Sequence, residues 1–240
     1  MNAGPILEAR GVSRILPGLV PTTLVADADL AIGRGEFAAI TGPSGSGKSS
    51  LLYLLGLLDA PSAGEILVDG APTSTMSDDD RAALRLARIG FVFQFHFLLP
   101  EFTARENVMI PMRRLGRPPR ARMREKAGAI LARFGLADHL DKRPEQLSGG
   151  QRQRVAVARA LANDPEVILA DEPTGSLDTH ASEQVFEVLR AIAGEAGRSV
   201  VAVTHDLDMA DRMDRRIRLV DGRMVRDERR APAPAPAPAD

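Results

Sequence analysis

Gly42-Pro-Ser-Gly-Ser-Gly-Lys48-Ser49 follows directly on the run Glu36-Phe-Ala-Ala-Ile-Thr41. The first stretch is a turn built of small residues, and the second is an apolar segment of buried-strand type. Glycine at 42, 45 and 47 lets the backbone curl so tightly that successive N–H groups face inward on a bound phosphate. The G-x-x-x-x-G-K-S/T spacing is that of a phosphate loop, whose footprint covers Gly42, Pro43, Ser44, Gly45, Ser46, Gly47, Lys48, Ser49 and Ser50. Lys48 supplies a point charge for β and γ phosphates, and the Ser49 hydroxyl is a ligand for Mg2+. Only three of the 31 basic residues are lysines (Lys48, Lys126 and Lys142), yet the loop position holds one. A compact ammonium fits beneath phosphates where a planar guanidinium would collide with the backbone.

At 240 residues the chain suffices for one sizeable α/β core with a subsidiary lobe. A net charge of −1 with dispersed arginines leaves no electrostatic footprint for nucleic acid. The absence of cysteine excludes disulfides and thiolate metal sites. The longest apolar run, Leu51-Leu-Tyr-Leu-Leu-Gly-Leu-Leu58, is under half a membrane span. Met1-Asn-Ala-Gly-Pro lacks a secretory pattern. The expectation is a cytosolic protein whose membrane attachment comes through a partner.

Short strands are expected over 6–10, 24–32, 36–41 and 65–69, with a helix from Gly47 to Leu58. From about 75 to 163 the pattern turns mostly helical: Asp78–Arg88, a segment opened by the capping-box spacing Thr103-Ala-Arg-Glu106, and Pro119–Phe134 ending at Gly135. Strands return at 165–171, 199–204 and 216–220, with a helix near 180–193. The alternation predicts an α/β core with an inserted helical lobe. Residues 231–240, Ala-Pro repeats closed by Asp240, predict an extended, disordered tail.

Two further segments carry chemistry. Val167-Ile-Leu-Ala-Asp171-Glu172 is an apolar strand ending in two acids. Asp171 can hold Mg2+ through water, and Glu172 can polarise an attacking water. Leu147-Ser148-Gly149-Gly150-Gln151 opens a helical sequence with capping-box spacing between Ser148 and Gln151. It reads either as an ordinary helix start or as an anion site where two glycines expose backbone N–H groups at a positive helix end. Gly-Gly is poor for helix propensity, which favours the anion site. His96, His139 and His180 have no metal-ligand spacing and read as satisfied polar residues.

Taken in chain order, with Gln94 and His205 among them, the motifs closely resemble the ATP-binding-cassette (ABC) ATPase family over roughly residues 5–226. The resemblance implies a P-loop NTPase core with an N-terminal antiparallel β subdomain and the inserted helical subdomain. It also implies a head-to-tail dimer with each ATP between two subunits. Lys48, Ser49, Gln94, Asp171, Glu172 and His205 would serve one half-site, with Mg2+ held by Ser49, Gln94 and Asp171 and catalysis by Glu172, His205 and Gln94. Ser148, Gly149 and Gly150, with Gln151 of the same motif, would complete the opposite half-site, and Asp178 would link the two. The family often stacks adenine on an N-terminal aromatic. No aromatic precedes Phe37 here and Leu16 stands near that place, so weaker discrimination against GTP is expected.

Five of the eight phenylalanines fall within Phe91-Val-Phe-Gln-Phe-His-Phe-Leu-Leu-Pro-Glu-Phe102. A buried strand explains Phe91 and Phe93. The Leu-Leu-Pro break leaves the second half, with Phe97 and Leu98 at its centre, as an apolar patch of interface type. By resemblance, this segment docks on membrane permease subunits near Gln94–Glu106. Phe93 to Val108 is similar to the pattern of the lipoprotein-releasing group within the family, and Ala170 to Asp178 is shared more widely, with macrolide-exporter and cell-division relatives. The expected role is the ATPase subunit of an inner-membrane transporter, peripheral on its cytoplasmic face, that releases lipoproteins. Export of small molecules or peptides and regulation of cell division are the alternatives.

Overall fold

The computed structural model describes residues 4–116 and 119–229, so the Ala-Pro tail lies outside the described residues. Three strands come first: β1 (Leu7–Leu16), β2 (Thr22–Ile32) and β3 (Phe37–Thr41). Then come α1 (Lys48–Leu55), β4 (Ala63–Val68), β5 (Ala71–Pro72), α2 (Asp78–Arg88) and β6 (Ile89–Phe93). A run of helices follows, α3 (Ala104–Leu115), α4 (Arg120–Arg133) and α5 (Gly149–Ala160). The chain closes through β7 (Val167–Asp171), α6 (Thr179–Ile192), β8 (Ser199–Val203), α7 (Leu207–Asp211), β9 (Arg215–Val220) and β10 (Arg223–Arg229).

Two sheets form. The smaller is antiparallel in the order β2-β1-β4-β5, and the larger runs β10-β9-β3-β8-β7-β6. Within the larger, β9, β3, β8, β7 and β6 are parallel and β10 turns back antiparallel on β9. Every residue of β3, β7 and β8 is buried, as expected of parallel strands covered on both faces. Helix α1 packs into the core shared with the small sheet, and Leu51, Leu52, Leu54 and Leu55 are fully buried there. That accounts for the leucine run without a membrane: apolar contacts surround the helix. Among the described residues no helix is long and apolar enough to cross a bilayer.

The helical lobe is narrower than the stretch 75–163. Ile89–Phe93 lies inside that stretch but is the edge strand of the large sheet, paired parallel to β7. Gly90 makes this possible, since a β-carbon there would collide with the Ala160 carbonyl at the end of α5. Helices α3 and α4 begin as the caps foretold. Thr103 and Glu106 form a reciprocal capping box, and α4 follows Pro119. Strand β10 has no counterpart among the expected strands, because its RMVRDER sequence carries too much charge for an alternating pattern. It is anchored by Arg215 on β9. The Arg215 guanidinium is buried, pairs with Asp227 at 2.6 Å and Glu36 at 3.0 Å, and donates to the Ala31 carbonyl at 2.7 Å. One side chain therefore ties both sheets together.

Candidate functional site

The phosphate loop spans the gap between the end of β3 and the start of α1. Gly42 sits at φ 150° and Gly47 at φ 92°; β-carbons would collide with the carbonyls of Leu219 and Leu24 respectively. Only glycine therefore lets the loop lie flat between β9 and β2. Helix α1 starts without a side-chain cap and without an acid in its first turn, so its leading N–H groups and positive end are left for an anion. Lys48, buried, folds back over the loop, with Nζ donating to the carbonyls of Gly42 at 3.0 Å and Pro43 at 2.8 Å. Ser46 Oγ is buried with no hydrogen-bond partner, an orphan polar atom in the wall of the loop.

A cleft of about 390 Å³ opens over this loop, lined by residues 44–50 together with Leu24, Glu172 and His205. Asp171 ends β7 beneath it, and Ser49 Oγ donates to Asp171 Oδ1 at 2.9 Å. Glu172 takes a left-handed backbone at φ 46°, a sparsely populated state for a glutamate that recurs at functional sites. Its N–H donates to the Val203 carbonyl at 3.0 Å, and its Oε2 lies 3.3 Å from His205 Nδ1. Gln94 reaches the same corner. A β-carbon on Gly175 would sit 3.1 Å from both Gln94 Nε2 and Glu172 Oε2.

Ser49 Oγ and the Asp171 carboxylate meet beside the loop as hard oxygen donors, and the Gln94 amide lies at the Glu172 corner. Among the described residues no group of three or more His, Cys, Asp or Glu forms a cage. This set fits Mg2+, which keeps waters and phosphate oxygens and needs few protein ligands.

Ser148, Gly149, Gly150 and Gln151 do not line this cleft. They open α5 with a full capping box, and Gln151 Nε2 contacts His139 Nε2 at 2.8 Å. The two glycines differ. A β-carbon on Gly150 would stand 2.7 Å from Ala181 Cβ, whereas one on Gly149 would meet only Leu177 Cδ2 at 3.6 Å. Packing within the chain requires the second glycine and not the first. Asp178 caps α6 through Ala181 N–H at 2.8 Å. Leu16 ends β1 half-exposed, and Leu24 is the residue of the small sheet that borders the cleft.

The phenylalanine segment leaves β6 for a loop. Phe95 and Phe97 are 63% and 62% exposed, and Phe97 has φ 44°. Leu98, expected on the exposed patch, is buried, because the positive φ at Phe97 turns the next side chain inward. Three residues with no role read from the sequence hold this loop. Gln153 Nε2 donates to the Phe93 carbonyl at 2.8 Å, and Arg159 donates to those of His96 at 2.7 Å and Phe97 at 2.6 Å. Asn107, fully buried, accepts from Leu99 N–H at 2.8 Å and donates to three carbonyls nearby. Burial pushes the Arg159 guanidinium below its ordinary value. Beside the loop runs a groove of about 800 Å³ between α2, β6, α3 and α5, with Phe91, Phe93 and Arg159 on its walls.

Residues 25–175 match the ABC transporter family. The chain belongs to that family. Its ABC relatives include the "lipoprotein-releasing system ATP-binding protein LolD" of Anaeromyxobacter dehalogenans, 52% identical over 94% of this chain and 95% of that protein. The protein of the same name from Aquifex aeolicus is 42% identical over 92% of this chain and 96% of its own. Among solved structures, an ATP-binding cassette captured as a dimer after hydrolysis with ADP and Pi superposes with a TM-score of 0.86. It is 40% identical and covers 93% of this chain and 98% of its own. The fold is that of a P-loop ABC ATPase, and as a member this ABC protein binds ATP and hydrolyses it.

Proposed function

We propose that the chain is the ATPase subunit of an inner-membrane lipoprotein-releasing transporter, working as a head-to-tail pair. The observation that carries the pairing is the distance between motifs: the Ser148–Gln151 segment has no place in its own chain's cleft, and a related cassette is solved as a dimer. In the closed pair, the α5 N-terminus of one copy would face the phosphates held by the loop of the other. Backbone N–H groups at Gly149 and Gly150 and the Ser148 hydroxyl would bind the γ phosphate, and Asp178 would sit near the joint.

Within one half-site, Lys48 and the loop N–H groups fix the phosphates, and Glu172 accepts a proton from the attacking water, which His205 helps to hold. Ser49, Gln94 and, through water, Asp171 would hold Mg2+, which neutralises charge developing on the phosphates. Leu24 offers the base an aliphatic wall, so GTP competes with ATP more effectively than at an aromatic platform.

Closure would be passed to permease subunits seated on Phe95, Phe97 and the adjoining groove. The cargo assignment is supported by relatives named for lipoprotein release at 42–52% identity. It is tested by purifying the tagged chain from solubilised membranes with ATP and identifying co-purifying proteins by mass spectrometry. The parent should bring down membrane proteins with few spans and a large extracytoplasmic domain. A Phe95→Asp, Phe97→Asp double variant should lose them while binding ATP as before. Equal recovery by both proteins removes the docking surface, and a many-span permease removes the lipoprotein reading.

A further inference from the structure

Asp171 is engaged at both carboxylate oxygens by side chains of a single helix. Ser49 Oγ donates to Oδ1 at 2.9 Å, and Tyr53 Oη donates to Oδ2 at 2.7 Å. Ser49 and Tyr53 stand four residues apart on α1, which puts them on one helix face. Tyr53 is the only tyrosine of the chain. Its ring is fixed from the far side by Phe93, edge-on with centroids 6.5 Å apart, and Phe93 is in turn stacked on Phe91 at 5.7 Å. The tyrosine hydroxyl is therefore braced by the strand that leads into Gln94.

A carboxylate's terminal torsion is broad when nothing holds it. The Ser49 hydroxyl can give a lone pair to a metal and keep its proton on Oδ1, but one attachment leaves the carboxylate plane free to swing. We infer that Tyr53 is a positioning residue for the metal: by holding Oδ2 it fixes the Asp171 plane, so that the remaining lone pairs face metal-bound water. This rests on the assignment of Ser49 and Asp171 to Mg2+ made above. Outer partners of this kind orient ligands without touching the ion.

The test uses the full chain carrying Glu172→Gln, so that ATP stays intact, and follows ATP binding as free Mg2+ is raised. Tyr53→Phe, which keeps the ring on Phe93, should raise the half-saturating Mg2+ concentration about tenfold. Its ATP affinity in EDTA and its melting temperature should match the parent. Tyr53→His, which returns an N–H donor, should recover part of the loss. If Asp171→Asn shifts the Mg2+ curve and Tyr53→Phe does not, the inference is wrong and the metal site stands. If neither variant shifts it, the metal assignment itself fails. Should Tyr53→Phe lose stability, the histidine variant decides: a Mg2+ curve matching that of Phe, at parental stability, overturns the positioning role.

Discussion

Gly150 lies directly against Ala181, so closely that a β-carbon would stand 2.7 Å from the alanine's own. Its neighbour Gly149 has ordinary room, with the nearest atom at 3.6 Å. The pair of glycines at the start of α5 thus has two separate causes, and they can be separated by substitution.

Gly150→Ala should force α5 and α6 apart at a cost of about 1–3 kcal/mol, lowering the melting temperature by several degrees in a chain of this size. Gly149→Ala should melt no lower than the parent, since alanine is the better helix former by about 1 kcal/mol. It should nevertheless abolish ATP turnover if the proposed pair forms, because the added methyl group would then stand where the other copy's phosphate approaches. Parental turnover in Gly149→Ala would reduce the segment to an ordinary helix start.

The second prediction concerns the strained acid. Glu172 is held at φ 46° with its carboxylate 3.3 Å from His205 Nδ1. Glu172→Gln preserves shape and hydrogen bonding and removes the proton acceptor. Phosphate release should fall by about 10²–10⁴-fold, the usual share of a general base, while ATP binding persists and the paired form accumulates by light scattering. A variant that still turns over at the parental rate excludes Glu172 as the base.

A residue is legible in the sequence when it acts through its own motif and not when it acts through its neighbours. Lys48 and Asp171 are singled out by local chemistry, the loop spacing and the strand-end acid, and the structure sets both beside the loop. Thr103 and Pro119 fixed helix starts for the same reason. Tyr53, Gln153, Arg159 and Asn107 could not be read, since each is defined by the distant carboxylate or carbonyl it meets. The one signal for Tyr53 was its four-residue spacing from Ser49, which places both on one face of α1. The alternation of Phe91 and Phe93 marks β6 as a buried strand within the helical stretch, but only its pairing with β7 makes it part of the large sheet, and β10 escapes notice because its partners are charges on β9. Leu98 was misplaced on the exposed patch because alternation fails where Phe97 adopts a positive φ.

A third prediction follows from His96, inside the loop proposed to dock on the permease. Its Nδ1 accepts the Leu98 N–H at 3.2 Å, so the loop needs that nitrogen unprotonated. Burial, and then the positive charges of Arg152 and Arg159 on α5, hold the imidazole below its ordinary value of 6.5. With the folded value depressed, the neutral form is the one favoured by folding. The stabilisation is complete above the unfolded pKa of about 6.5 and is lost as pH falls through the lower folded value. The loop should therefore keep its form across neutral pH, and if it docks as proposed, recovery of co-purifying proteins should be unchanged from pH 8 to 7 and decline only below 6.5. Proton NMR of the imidazole, assigned by comparison with His96→Gln, should give a midpoint under 6.5. A midpoint at or above that value would mean that the ring is solvated and that Leu98 finds its acceptor elsewhere.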